Sequence, residues 1–425
     1  MIKKVLAFIL FAFFLFMVVI YFSTATTDKN FSTCEILDLS SIDQIDFRDH
    51  DSVMVAASTL YRGNTLKNIV QGEQYRKVWE TPVKVPIAFL DTLKGGLTIL
   101  EQGGGKQTHS LKVKTKNDDV YTLRSVTKNP EPLIPDFIKA VGLENIVVDG
   151  ISAQHPYAAL AVAELSHKCG LLSTRPQLLF LPRQEKLDSL NDKYGNRLFL
   201  FEHENAGNAE WTQLEKASEI IDTEDLQELK SEKKDLLHVD ENLLVRARLF
   251  DLLIGDWDRH AKQWGWVLTS KNEETLAIPL PCDRDNAFFN IDGILPTLLS
   301  HKSILPDLQN FEKEIDYIPG LVMDFDTYFL KTIDKSIFSE EATYLQNTLT
   351  DESINQALKV WPKTIYEQDG AEIAEKIMAR KKQLAEYAMR FKDEIDKTEF
   401  LSESLKGSED LNLPSELVAC FDCLK

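Results

Sequence analysis

The chain is short of cysteine, of positive charge and of internal repetition, and each shortage removes a class of protein. Five cysteines in 425 residues (Cys34, Cys169, Cys282, Cys420 and Cys423) are too few for a scaffold stapled by disulfides. Cys420 and Cys423 form a Cys-x-x-Cys near the C-terminus, but no second pair exists to complete a metal or redox site, so the pair reads as a local disulfide or an idle tail. Cys282 reads as a small core residue. Lys and Arg number 48 against 67 Asp and Glu, a net charge of −19. That balance argues against nucleic acid as the main partner, since phosphate binding wants a basic face. No repeat period and no long low-complexity run is present.

What is present starts at the N-terminus. Lys3 and Lys4 precede residues 5–22, which carry no charge. Such a run lies at the boundary between a signal-peptide core and a short membrane-spanning helix. Ser23 and Ala25 offer a small-x-small cleavage site, so anchor and cleaved signal both stay open. The leading lysines predict an N-in orientation with everything after residue 23 outside the cytoplasm: anchored in the inner membrane facing the periplasm, or secreted. Residues 5–22 should form one helix projecting from the body without core contacts. Residues 23–60 are polar and acidic and read as a tether with little core.

Apolar residues make up 44% of the chain, and its length suffices for two or three packed units. Alternation predicts strands over 97–101, 108–114 and 120–126, with Gly103, Gly104 and Gly105 as a flexible loop between the first two and Asn117-Asp118 as a turn. These strands should form one antiparallel sheet covered by a helix over 155–169. Thr122, Arg124 and Val126 share a face, and Lys128 joins them if the strand runs on. A cation beneath a glycine-rich loop suits triphosphate binding, because glycine lets backbone amides approach phosphate closely. A plain hairpin with a solvated arginine fits the same pattern.

Further on, a short helix is predicted over 135–141, strands over 177–181 and 197–201, and a helix near 223–233. Asp240 or Glu241 starts an apolar helix that runs into Asp256, and 264–269 with 275–280 form a hairpin. Residues 324–396 read as mostly helical and the last 25 as acidic and poorly patterned.

The densest chemistry lies in LIGDWDRHAKQWGW, residues 253–266, and in PCDRDNAFF, residues 281–289. Asp256 and Asp258 stand beside His260, and Asp283 beside Asp285. Carboxylates this close at the edge of apolar segments need a cation or a reacting proton, because like charges repel. Asp258 and Gln263 have the spacing of the kinase catalytic loop Asp-x-x-x-x-Asn, with Gln in place of Asn. His260 is either a metal ligand or a brace for the loop, and Asp256 is a cap or brace. Trp257, Trp264 and Trp266 are core residues clamping it.

The ordered set of glycine-rich hairpin, cationic strand, helix, two strands, apolar helix, Asp-x-x-x-x-Gln, hairpin and Asp-Asn resembles the atypical protein-kinase-like fold. DRHAKQ is similar to the Asp-x-His-x-x-Asn loop of the HipA-type kinases, and RDNAFF to the metal motif of phosphoinositide and secretory-pathway kinases; the spore-coat CotH kinases belong to the same set. YRKVWETPVKVPIAF through PCDRDNAFF is also similar to a module of Gram-negative envelope proteins. The resemblance spans residues 85–330.

It implies an α+β, bilobal fold with a β-rich N-lobe and a helical C-lobe, preceded by the hydrophobic helix. The implied division is 1–22 signal peptide or membrane anchor, 23–84 tether and N-terminal extension, 85–203 N-lobe, 204–330 C-lobe, 331–400 helical part and 401–425 acidic tail. Asp258 would be the catalytic base. Gln263 and Asp285 would hold Mg2+ (or Mn2+), with Asp283 replacing Asp285 if the alignment slips by two. Gly103, Gly104, Gly105 and Arg124 would hold ATP, with Lys128 the alternative cation and Glu164 the helix carboxylate pairing with it. The backbone at Glu202 would face the base. The implied function is transfer of a phosphoryl or nucleotidyl group from Mg-nucleotide to a hydroxyl of a protein, lipid or glycan outside the cytoplasm. An inactive kinase-like scaffold and a metal-dependent hydrolase using Asp256, Asp258, His260, Asp283 and Asp285 are the alternatives.

Overall fold

A computed structural model describes residues 2–25, 45–103, 108–128, 134, 136, 139, 144–271, 273–408 and 411–424. The expected 135–141 helix, Cys34, Gly104 and Gly105 lie outside these residues, apart from positions 136 and 139. A ribbon of β1 (Ser52–Val55) and β2 (Val83–Pro86) opens the folded body. Then come β3 (Thr98–Gly103), β4 (Thr108–Lys114), β5 (Val120–Lys128), β6 (Gln177–Leu181) and β7 (Arg197–His203). They form one antiparallel sheet in the order β3-β4-β5-β7-β6. Alternation explains it. Leu111, Val113, Tyr121, Leu123, Phe199 and Phe201 share one apolar layer. Val126, Leu198 and Leu200 point the other way, into the main core with Ala161 and Leu165 of the Ala158–Lys168 helix.

A second five-stranded sheet follows: β8 (Gly207–Asn208), β9 (Ala217–Asp222), β10 (Leu237–Val239), β11 (Trp264–Lys271) and β12 (Glu274–Pro281), ordered β10-β12-β11-β9-β8. The sequence predicts only the β11–β12 hairpin. The added strands are short and half exposed, so their alternation is weak. Trp264 and Trp266 sit on one face of β11, stacked on Phe325 of the Asp324–Leu330 helix. Val267 turns to the opposite face with Ile220 and Ile278. The long helix Ala371–Lys397 lays Ile373, Ile377, Leu384, Phe391 and Ile395 along one buried stripe.

Three expectations change. Residues 45–60 are core rather than tether, for Phe47, Val55, Ala56 and Ala57 are buried and β1 pairs with β2. The C-terminal segment is packed rather than loose: Leu405, Leu417 and Phe421 fill core positions, and Lys230 reaches Asp422 at 3.1 Å. A few well-placed apolar side chains suffice there, too sparse to give a period. Cys420 and Cys423 are joined in a disulfide. The helix Ile2–Ser23 is mostly exposed, and with mean hydropathy 3.0 it is long and apolar enough to cross a membrane. Its last turn nevertheless docks: Ile20 and Ser23 are buried, and Gln71 Nε2 donates to Ser23 Oγ at 2.9 Å.

A buried acid–histidine pair sets a pH dependence. His155 Nδ1 accepts the Tyr157 N–H at 3.2 Å, which leaves Nε2 facing Asp369 Oδ2 at 3.6 Å. Burial, with Glu372 nearby, pushes the Asp369 carboxyl from 3.8 up to about 7. The unfolded chain therefore releases this proton near pH 4 and the folded protein only near pH 7. The stability this carboxyl adds is undiminished below pH 4, falls as pH rises, and is lost fully above pH 7. Burial of His155, which lowers its pKa from 6.5 to about 3, works in the opposite direction over the lower part of that range. Asp369→Asn should raise the melting temperature relative to wild type at pH 8 and leave the difference near zero at pH 4. Thermal melts across that range, read as the difference between the two proteins, test it.

Candidate functional site

The site grows from the end of one helix. Asp240 caps the Glu241–Ile254 helix by accepting the Leu243 N–H at 2.9 Å. The helix stops at Gly255, whose φ of 71° is left-handed and where a Cβ would lie 2.6 Å from the Phe311 ring. Glycine meets both demands. The chain then enters the loop holding Asp256, Asp258 and His260. Antiparallel register pairs Trp264 with Pro281 at the base of the β11–β12 hairpin. Gln263 and Cys282 are thereby neighbours, the Cys282 N–H donating to the Gln263 carbonyl at 2.9 Å. The hairpin folds away the sequence between the two acidic loops and brings their bases together.

Opposite them stands β5, which runs through to Lys128. Both of its candidate cations cross to the second loop: Arg124 Nη1 lies 2.8 Å from Asp283 Oδ2, and Lys128 Nζ 2.5 Å from Asp285 Oδ2. Arg124 Nε also meets Glu202 Oε1 at 3.3 Å, and Glu202 accepts a bond from the Thr174 hydroxyl. The Glu202 side chain thus takes part in the cleft's charge network, in addition to any role of its backbone. Glu164 is exposed and pairs with neither cation. The carboxylate beside Arg124 comes from the neighbouring strand β7, whose register sets Thr122 against Glu202. The strand parity that grouped Arg124 with Lys128 applies equally to β7, and it is the signal that finds Glu202.

Charge is unevenly tuned across the cleft. Burial works against the charge on Asp283, but Arg124 and Lys128 outweigh it and hold this carboxyl below its usual range. Burial and the neighbouring Asp283 push Asp285 up to about 6, with Lys128 opposing. Asp283 and Phe288 both have left-handed backbone, φ 50° and 62°, which turns the acidic loop back toward β5. A cavity of about 250 Å³ continues from Arg124 along Gly103, Ser110, Lys112, Glu202 and Glu204.

In the first loop, His260 Nδ1 accepts the Lys262 N–H at 3.2 Å and caps the short turn Ala261–Gln263, while Nε2 lies 3.8 Å from Asp258 Oδ1. Burial lowers its pKa and Asp258 opposes this. Its geometry is that of a brace. Asp258 is half-buried and Gln263 is buried. Asp256 was expected to cap or brace, and it does neither. Both of its oxygens are buried without a hydrogen-bond partner, Arg259 standing off at 3.7 Å, and burial pushes the carboxyl up to about 8. Among the described residues no group of three or more His, Cys, Asp or Glu side chains is arranged to hold a metal ion.

Beneath both loops lies a cluster that the motifs do not reveal. Asp251, fully buried within the apolar helix, accepts from Arg248 (3.0 Å), Arg259 (3.2 Å) and Arg284 (3.0 Å). Arg259 spends its other nitrogens on the Cys282 and Gln263 carbonyls, at 2.7 and 3.2 Å. Arg284 reaches Ser166 of the Ala158–Lys168 helix at 2.9 Å, and Arg248 pairs with Asp326 at 2.6 and 2.9 Å. The available signal was a lone carboxylate inside LLVRARLFDLLIG, and an arginine directly after an aspartate in each motif, Arg259 after Asp258 and Arg284 after Asp283. Removing Asp251 leaves three enclosed guanidiniums short of an acceptor. Asp251→Ala should cost about 3–5 kcal/mol of stability, the range for breaking a buried ion pair, and chemical denaturation of the purified protein measures it.

No family model and no curated protein matches the chain. Among solved structures, the proinflammatory kinase CtkA of Helicobacter pylori aligns over 71% of this chain and 97% of its own, at 14% identity and a TM-score of 0.37. The HipA–HipB toxin–antitoxin complex with operator DNA of Shewanella oneidensis MR-1 aligns over 75% of this chain and 78% of its own, at 11% identity and a TM-score of 0.27. Likenesses this distant carry no argument about the site, which stands on its own geometry.

Proposed function

We propose that this cleft binds a Mg-nucleotide and transfers a phosphoryl, or nucleotidyl, group to a hydroxyl acceptor outside the cytoplasm. The observation that carries the reading is the crossing of two β5 cations to two carboxylates of one loop, Arg124 to Asp283 and Lys128 to Asp285. A phosphate chain with its metal presents anionic oxygens to such cations and a cation to such carboxylates. The residues fit Mg2+ or Mn2+: hard oxygen donors, with one or two carboxylates from the protein and the rest from phosphate and water. The raised Asp285, crowded by Asp283, is the kind of carboxylate that a cation relieves. Asp285 and Asp283, with the Gln263 amide oxygen, would hold the metal, which supplies neutralisation of the phosphate charge.

The remaining roles fall to this chain's own groups. Arg124 grips phosphate with a planar fork that Glu202 orients through its Nε, and Lys128 adds a point charge. Gly103, and by sequence Gly104 and Gly105, let backbone approach the phosphates. Asp258 orients the acceptor hydroxyl and takes its proton. The acceptor oxygen then bonds to phosphorus as the bond to the leaving oxygen breaks, releasing nucleoside diphosphate in the phosphoryl case. The apolar Ile2–Ser23 helix and the Cys420–Cys423 disulfide both favour an envelope or secreted setting, because disulfides persist in oxidising compartments.

A second reading, a kinase-like scaffold without turnover, is favoured by the same ion pairs, since they bridge the cleft directly and, among the described residues, no helix carboxylate pairs with Arg124. Calorimetric titration with Mg-ATP separates the two. Wild type should bind; Asp285→Ala should lose metal-dependent binding. Asp258→Ala should bind nearly as wild type while any transfer rate falls ~10²–10⁴-fold. Wild type that shows no nucleotide binding at any metal concentration ends the kinase reading in favour of the scaffold.

A further inference from the structure

The acidic loop leads straight into an apolar surface that the proposed chemistry does not use. The helix Ile294–Leu299 exposes Ile294, Leu298 and Leu299, and the turn after it exposes Ile304 and Leu305. Beside it the helix Thr65–Gln71 exposes Leu66 and Ile69. All seven are 41–58% exposed, where a folded surface in water usually scatters such side chains singly.

The two helices belong to one surface. They pack side by side, and their ends abut through glycines. A Cβ on Gly293 would lie 2.2 Å from the Gly72 nitrogen, and one on Gly72 2.0 Å from the Asp292 carboxylate. Asp292 in turn accepts the backbone N–H groups of Glu73 and Gln74 at 3.1 and 3.0 Å. The same Thr65–Gln71 helix receives the base of the apolar N-terminal helix, through contacts along it and the Gln71–Ser23 bond. The exposed leucines and isoleucines therefore sit on the helix that a helix of membrane-crossing length meets, and on the helix and turn adjoining it.

We infer that this surface rests on the lipid bilayer, so that the folded body lies against the membrane face at the foot of its helix. The inference depends on the helix being a membrane anchor, part of the reading above. Its occupant is fixed by continuity, because the bilayer begins where the anchor leaves the body. Burying several large aliphatic side chains at the interface contributes strongly, since each gains roughly 25 cal/mol per Å² removed from water. His301 and Lys302 in the intervening turn suit the headgroup layer, Lys302 being able to snorkel. Trp257, next to Asp258, packs on Phe289 at 5.8 Å, in the segment that leads to the patch.

Depth-dependent fluorescence quenching tests this on the full-length chain in vesicles of phosphatidylcholine and phosphatidylglycerol. An environment-sensitive label is placed at Ile304→Cys or, separately, at Phe13→Cys, both exposed positions, in a Cys34→Ser background. Lipids brominated along the acyl chain should quench both labels, and Leu298→Glu with Ile69→Glu should abolish quenching at position 304 but not at position 13. Quenching at 13 alone overturns the inference and leaves the anchor standing. Quenching at neither overturns the anchor reading and the inference with it. Shielding at 304 that grows with protein-to-lipid ratio, without lipid quenching, gives the surface to a second copy of the chain and also overturns the inference.

Discussion

One buried carboxylate holds the candidate site in shape. Asp251 sits on the third turn of a helix whose neighbours are leucine, phenylalanine and isoleucine, and it collects three guanidiniums. An isolated charge there would be intolerable, and so would three isolated arginines. Each makes the other possible, and the arginines spend their remaining nitrogens on the loops above. Arg259 pins the carbonyls of Gln263 and Cys282, and Arg284 ties the acidic loop to the helix that lies over the first sheet. The positions of Asp258 and Asp285 are thus set by a residue that faces neither of them. A buried ion cluster is weak evidence for net stability, but a rigid fork with all its donors placed specifies geometry well.

Exposure separates two kinds of ion pair in this chain. The Arg259–Asp251 pair is fully enclosed, and so are Lys67 and Arg76 with Asp149, which lock the N-terminal extension to the Glu144–Gly150 helix. The pairs across the cleft are partly wet: side chains are 25 and 26% exposed for Arg124–Asp283, and 10 and 21% for Lys128–Asp285. Water weakens a pair and lowers the cost of separating it. The enclosed pairs have no route to solvent short of unfolding. The cleft pairs are the ones that an incoming ligand can exchange, which is the property a binding site needs.

The parts legible in the sequence are those where one periodicity dominates. Strands over 108–114 and 120–126, the helix ending at Ile254 and the β11–β12 hairpin follow from local pattern, and strand parity put Arg124 and Lys128 on a common face. The illegible parts depend on partners far along the chain. β1 has four residues and exists because β2, nearly thirty positions on, completes it. Phe421 is one aromatic in an acidic stretch, buried because Tyr328 and Phe329 leave room for it. Glu164 and Glu202 look alike in sequence; only strand register decides that the second meets Arg124. Asp251 was hidden by its own surroundings, since a single polar residue in an apolar helix looks like an interruption.

The hairpin between the two acidic loops has a consequence for variation. Its strands run from Trp264–Pro281 at the site to Lys271–Glu274 at the far end, in unbroken one-to-one register. Length added or removed at the far end, in matched pairs, leaves the distance between Gln263 and Cys282 unchanged. A single residue inserted in one strand near the site would turn every later side chain to the opposite face and pull Trp264 and Trp266 out of the core. The connection beyond Lys271 is therefore a place where sequence can drift, or a tag can be grafted, with the chemistry insulated by eight rungs of ladder.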